Sequence, residues 1–271
     1  SCDRPEVFVP ASSCLPTGPR DERGGEADVN ASIQIRAIWH YLSYGQGAPT
    51  PSGVGNPGTN LEVGELARVY RGRSRIAGYR GISVGFPEGI HYAFNAETGT
   101  LTGLWKGDFV SVGWGGQGAG NFNPRSRAVQ LAQDVSFQLS EAAPKAWPLR
   151  PETTKEKPVN PNPLYPKNLG YRFRGYSLDD LGIPTFSYAF GKIQMEDSSR
   201  PESSGDVHLL RRRLSITSPY AAKVLFRALV GKIEAGPDRI FATPEVRLTI
   251  PRAAFELRDF PAPGEGRELI V

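Results

Sequence analysis

The first place to look for chemistry in this chain is Gly81-Ile82-Ser83-Val84-Gly85. Its letters match the Gly-x-Ser-x-Gly elbow that presents a serine nucleophile, but that elbow needs a strand before the serine and a helix directly after it. Phe86-Pro87-Glu88-Gly89 follows instead. Pro87 stops such a helix, so hydrolysis at Ser83 is set aside. Gly113-Trp114-Gly115-Gly116-Gln117-Gly118-Ala119-Gly120 has the composition of a phosphate-cradling loop. That role requires a helix opening at the last glycine of a βαβ unit. Asn121-Phe122-Asn123-Pro124 blocks one, so the stretch reads as a turned connection lining a groove.

The three histidines, His40, His91 and His208, share no metal-ligand spacing, and no metal site is expected. Cys2 and Cys14, the only cysteines, flank eleven residues near the N-terminus. They suit a disulfide closed in an oxidising compartment, with two free thiols or a link to another chain as the alternatives. Leu15-Pro16-Thr17-Gly18 follows Cys14, which excludes a Cys-x-x-Cys-His haem attachment, and no cofactor is expected. Trp105 and Trp114, with Tyr92 and Asp108 close in sequence, are the candidate ligand or partner surface: an aromatic platform for a sugar or a protein. A buried aromatic core is the commoner fate of such residues. Asp108, Glu88 and Glu97 would be the carboxylates of a glycosidase pair, but nothing in their spacing selects two of them, and no catalytic residue is assigned.

Charge excludes little. Lys and Arg number 32 against 28 Asp and Glu, too mild an excess and too scattered to track a nucleic-acid backbone. Arg211-Arg212-Arg213 is the one dense run, and two-residue alternation sends its members to opposite faces of a strand. An ion-paired strand face is the better reading, with no nucleic-acid partner. No apolar run approaches the ~20 residues of a spanning helix, so no transmembrane segment is expected. The sequence starts at Ser1 rather than Met, from which removal of a leader or of a longer preceding segment is expected.

The elements that must carry these residues are mostly strands. Gly (31) and Pro (24) make up about a fifth of the 271 residues, which argues against a helical bundle, while 39% hydrophobic residues suffice for a core. Residues 1–27 read as an extended arm. Ile35, Ile38, Trp39 and Leu42 fall at i, i+3, i+4 and i+7, which predicts an amphipathic helix over residues 30–44, with Asn30 as cap and Gly45 as stop. A Gly- and Pro-rich connector ends near residue 60. Short two-period strands follow over residues 61–140, with a hairpin turn at residues 95–100. Seven prolines in residues 141–168 make the segment 141–170 a linker. Further strands fill residues 171–271. Residues 221–230 also fit a helix, but their neighbours favour a strand. The expected fold is mainly β: a β-sandwich or larger two-sheet assembly in two linked halves, with one short N-terminal helix.

Several phrases together, Gly81-Ile82-Ser83-Val84-Gly85-Phe86-Pro87-Glu88-Gly89-Ile90, Ala93-Phe94-Asn95-Ala96-Glu97-Thr98, Leu104-Trp105-Lys106-Gly107-Asp108-Phe109, Phe173-Arg174-Gly175-Tyr176-Ser177-Leu178-Asp179 and Gly182-Ile183-Pro184-Thr185-Phe186-Ser187-Tyr188, resemble the C-terminal β-rich region of large exported cytochrome-c-containing proteins of planctomycete type. In that family the region follows a cytochrome c domain. Residues 33–42 resemble the last helix of that domain, and residues 4–10 the segment that carries its methionine haem ligand; here that segment has no methionine. The resemblance implies a cytochrome tail without its haem-binding part, ahead of a β-rich body with no known activity. It implies a periplasmic or extracellular protein that serves as a non-catalytic accessory or interaction subunit of a redox, electron-transfer assembly, with protein partners. The tryptophans and Asp108 supply the alternative, a glycan-binding or glycan-processing sandwich.

Overall fold

The computed structural model describes residues 27–37, 58–114, 120–139, 146–151, 164–204, 207–250, 253–260 and 265–271. These residues form strands joined by turns, with two single 3-10 turns as their helical content. The first ten strands are β1 (Ala27–Ala37), β2 (Thr59–Leu61), β3 (Arg68–Ser74), β4 (Gly78–Gly85), β5 (Ile90–Asn95), β6 (Thr100–Lys106), β7 (Val110–Trp114), β8 (Gly120–Pro124), β9 (Ala128–Gln130) and β10 (Phe137–Leu139). The rest are β11 (Tyr171–Leu178), β12 (Pro184–Phe190), β13 (Ile193–Ser204), β14 (Val207–Ser218), β15 (Val224–Gly231), β16 (Glu234–Ala235), β17 (Ile240–Ala242), β18 (Val246–Thr249), β19 (Glu256–Asp259) and β20 (Arg267–Ile270).

They build three sheets. The first has the order β2-β7-β8-β3-β4-β5-β6-β9, the second β11-β12-β13-β14-β1-β18-β17-β16, and a four-stranded sheet runs β10-β15-β20-β19. The mainly-β fold is thus as expected, and residues 224–231 are strand. The N-terminal helix is a correction: its described part, residues 30–37, lies within β1, which pairs antiparallel with β14 and β18. Val29, Ala31, Ile33, Ile35 and Ala37 alternate with polar residues, and two partner strands supply the ladder that this alternation fits. Residues 38–44, and Cys2 and Cys14 with their proposed disulfide, lie outside the described residues.

Strands β5 and β6 are buried almost throughout, because the first sheet is covered on both faces. Ile82, Val84, Tyr92, Phe94 and Leu104 point to one side, into a cluster shared with Phe186, Tyr188, Phe190 and Phe241 of the second sheet. Phe94 lies flat on Phe186, with ring centroids 4.0 Å apart and planes 3° from parallel. The opposite face carries Ala93 and Trp105 against Phe109, Val112 and Phe122. Strand β4 fits that face by being small there: a Cβ on Gly85 would stand 2.7 Å from the Phe109 ring, and one on Gly81 would stand 2.8 Å from the Ala77 Cβ. The β5–β6 turn is roofed by Tyr171, whose hydroxyl donates to the Ala96 carbonyl at 3.0 Å. Gly99 in that turn has φ +65° and no room for a side chain against the same ring.

The described parts of the proline-rich segment dock on this body. Trp147 is buried and its indole N–H donates to the Val135 carbonyl at 2.8 Å. The Val135 N–H donates to the Tyr165 hydroxyl at 3.0 Å. Both backbone polar groups of Val135 on the body are therefore taken by the segment.

Truncating Phe186 to alanine is expected to cost about 3–5 kcal/mol through the cavity left opposite Phe94. In urea, tryptophan fluorescence and far-UV circular dichroism should still report one shared transition at lower denaturant; separate transitions for the two probes would contradict a shared core.

Candidate functional site

The structure disperses the residues that sequence reasoning grouped. Tyr92 and Trp105 are both buried, on opposite faces of the first sheet. The Trp105 indole N–H is satisfied internally, by the Phe109 carbonyl at 2.8 Å. Neither ring is open to a ligand, so these two members of the aromatic platform are corrected to core. Asp108 is exposed and sits 3.0 Å from Arg125, which also pairs with Glu62. Trp114 ends β7 and pairs with Gly120 in β8. Glu88 and Asp108 stand at one end of the β5–β6 hairpin and Glu97 at the other. Ser83 lies inside β4, fully buried, its hydroxyl facing the Tyr70 carbonyl at 3.4 Å; a strand interior is no elbow. Among the described residues no three His, Cys, Asp or Glu side chains gather as metal ligands, and no helix is long and apolar enough to cross a membrane.

The arginine run divides as alternation requires. Arg211 pairs with Glu202 at 2.6 Å on the outer face. Arg212 is buried and forks onto Asp197, with Nε 3.0 Å from Oδ1 and Nη2 2.6 Å from Oδ2. The Tyr188 hydroxyl donates to the same carboxylate at 3.1 Å. The Asp197 charge beside it holds the guanidinium pKa above its ordinary value despite burial, and burial first, then Asp197, raises that of Tyr188. This group is structural and internal.

What the fold does gather is an open polar cleft of about 1130 Å³ on the first sheet. Arg73 and Arg75 come from the β3–β4 hairpin, Asn121 and Asn123 from β8, Gln130 and Gln133 from β9 and the loop after it, and Arg150 from the docked proline-rich segment. The hairpin is held from below: Ile76 and Ala77 are buried in the outer cluster, and Gln133 Nε2 donates to the Ile76 carbonyl at 3.4 Å. Anchoring these two leaves Arg73, Arg75 and Tyr79 exposed, with Arg73 5.9 Å above the Tyr79 ring. Arg150 is fixed twice, its N–H to Asp134 Oδ1 at 2.5 Å and its guanidinium to Gln133 Oε1 at 3.0 Å. Neither Arg73 nor Arg75 has a carboxylate partner among the described residues.

Sequence reasoning passed over these arginines. The available signal was Arg71-Gly72-Arg73-Ser74-Arg75, where the two-residue spacing of a strand puts three guanidinium groups on one face, in a stretch from residue 66 to 87 with no acidic residue. The fold and the cleft define a mainly-β protein with an open groove lined by arginine and amide side chains. No family model, curated protein or solved structure matches the chain.

His91 supplies the pH dependence. Its Nδ1 accepts the Phe86 N–H at 3.3 Å and its Nε2 meets the Gly107 carbonyl at 2.7 Å, an arrangement only the neutral ring satisfies. Burial lowers its pKa below the usual value, against smaller opposing effects of the Gly107 carbonyl, Asp108 and Glu62. The stability this gives is complete above the unfolded-state pKa of about 6.5 and declines as pH falls from there toward the lowered folded value. Thermal melts between pH 8 and pH 5 should show that decline, and His91→Gln should flatten it; an unchanged slope in the variant would remove His91 as its source.

Proposed function

We propose that the protein is a non-catalytic binding module that takes an acidic glycan, a polymer whose sugar rings bear carboxylates, in the cleft of Arg73, Arg75, Arg150 and Tyr79. The observation that carries this reading is the mixture of groups in one open groove. Guanidinium groups fork onto carboxylates. The amides of Asn123, Gln130 and Gln133 donate and accept with ring hydroxyls. The exposed face of Tyr79 suits stacking on the apolar face of a sugar. The groove is larger than the ~300–1,000 Å³ of common small-molecule pockets, as a chain of several sugars requires. Asp134, the one carboxylate that lines the groove among the described residues, is engaged by the Arg150 N–H and by Arg227 Nη1 at 2.8 Å.

A periplasmic or extracellular setting belongs to the same proposal, since such polymers are displayed outside the cell. The reading as an interaction subunit of an exported redox assembly draws on the resemblance. The phrases that carry it fall mainly in β4, β5, β6, β11 and β12, strands that bury against one another, and so they bear on core more than on a partner surface.

Calorimetric titration of the full chain with polygalacturonate and with neutral dextran tests the proposal. Polygalacturonate should bind, less tightly as salt rises, and Arg73→Gln with Arg75→Gln should weaken it by about tenfold or more while leaving the melting temperature within a few degrees. Equal binding of dextran, or no binding of polygalacturonate, would overturn it. Co-migration of redox-active subunits on purification from the native host would favour the interaction subunit instead.

A further inference from the structure

Strand β11 stands at one end of the second sheet, and its eight residues make it the longest of the strands that end a sheet. One edge pairs with β12 from Tyr171 to Leu178. Along the other edge no described residue supplies a backbone partner, which leaves a row of N–H and C=O groups for another strand to take. A bulge leaves Arg174 with no opposite number in β12, and pairing resumes from Gly175 to Leu178.

Two kinds of side chain flank this open edge. Phe173, Tyr176 and Leu178 lie at the margin of the seam between the first and second sheets. The Phe173 and Tyr176 rings are 6.4 Å and 6.0 Å from that of Phe186 and are only half-buried, while Leu178 is 54% exposed. Leu181, equally exposed, continues the apolar rim, and its carbonyl accepts the Ala67 N–H at 2.9 Å. Arg172 alternates with Tyr171 and Phe173 and so takes the outer face. Arg172 and Arg174 are exposed, and neither has a carboxylate partner among the described residues. Asp179, just past the strand, is paired with Arg200 at 2.5 Å. Asp180 is then the one carboxylate of residues 167–180 without a cation among the described residues, against Lys167, Arg172 and Arg174 without an anion.

We propose that β11 is a docking edge for an extended segment of a partner protein in which acidic residues alternate with apolar ones. The segment's main chain continues the ladder, its apolar side chains cover Phe173, Tyr176 and Leu178, and its carboxylates meet Arg172 and Arg174. A second copy of β11 is the wrong occupant, because it would bring its own two arginines against the same pair. None of residues 171–178 lines the large groove, so this assignment does not rest on the glycan reading.

The probe is a fluorescein-labelled peptide of alternating Glu and Val, titrated into the full chain. Anisotropy should show saturable binding, and hydrogen exchange should slow at the amides of residues 171–178. The same peptide with Lys in place of Glu should bind at least about tenfold more weakly. Proline at the centre of the Glu and Val peptide removes a ladder N–H and should weaken binding. Arg172→Glu with Arg174→Glu should reverse the preference between the two charged peptides; if that variant fails to fold, the peptide comparison and the exchange map on the unaltered chain decide alone. No saturable binding, equal affinity for the Glu and Lys peptides, indifference to the central proline, a preference unmoved by charge reversal, or slowed exchange confined to other strands would each overturn the assignment. So would a concentration-dependent dimer of the peptide-free chain with exchange slowed at β11, which would give the edge to a second copy.

Discussion

The contact on which the rest of the structure depends is the face-to-face seam between the first and second sheets, centred on Phe94 and Phe186. Around that pair Tyr92, Phe173, Tyr176 and Tyr188 stand at tilted or edge-on angles with centroids within about 6.5 Å, the geometry in which aromatic quadrupoles attract. Burial beside the seam also sets what a charge there requires. Asp197 has lost water and is compensated by the fork from Arg212 and the hydroxyl of Tyr188. Replacing one member alone would strand the other's charge in the core.

The cationic groove is a secondary product of that seam. Once the sheets are stacked, the described parts of the proline-rich segment have a surface to lie on, and Trp147 and Tyr165 take the carbonyl and the N–H of Val135. This puts Arg150 beside a hairpin far away in sequence. Asp134 then holds two elements at once, the backbone of the segment and the side chain of Arg227 in β15. Residues 130–136 line both the groove and a smaller cleft between β9 and β15. Order in that stretch is maintained from both directions.

Strand content was legible in the sequence through short runs of β-branched and aromatic residues between Gly and Pro turns; burial alternates along β12 and β18 but not along β5 and β6, which are covered on both faces. The failure at residues 30–37 has a physical cause. Ile33 and Ile35 satisfy both periods when read with different companions, and the decision between them is made by hydrogen bonds from β14 and β18, partners that no local window contains. Trp105 takes the commoner of the two fates open to it, because β2, β7 and β8 curl over the outer face of the first sheet and enclose it. The site was the least legible part. Arg73 and Arg150 meet only through tertiary docking, and alternation in Arg71-Gly72-Arg73-Ser74-Arg75 gives a charged face without saying what stands opposite.

The place of β1 has a consequence for how the polypeptide is made. It is central in the second sheet, between β14 and β18, yet it is translated before every strand of the first. As the ribosome extends the chain, the first sheet can close while β1 waits with both edges unsatisfied, until β14 and then β18 emerge much later. Such long-range closure is slow, and a waiting edge recruits foreign strands. A cell that produces this protein therefore has reason to shield β1 until β14 and β18 have emerged.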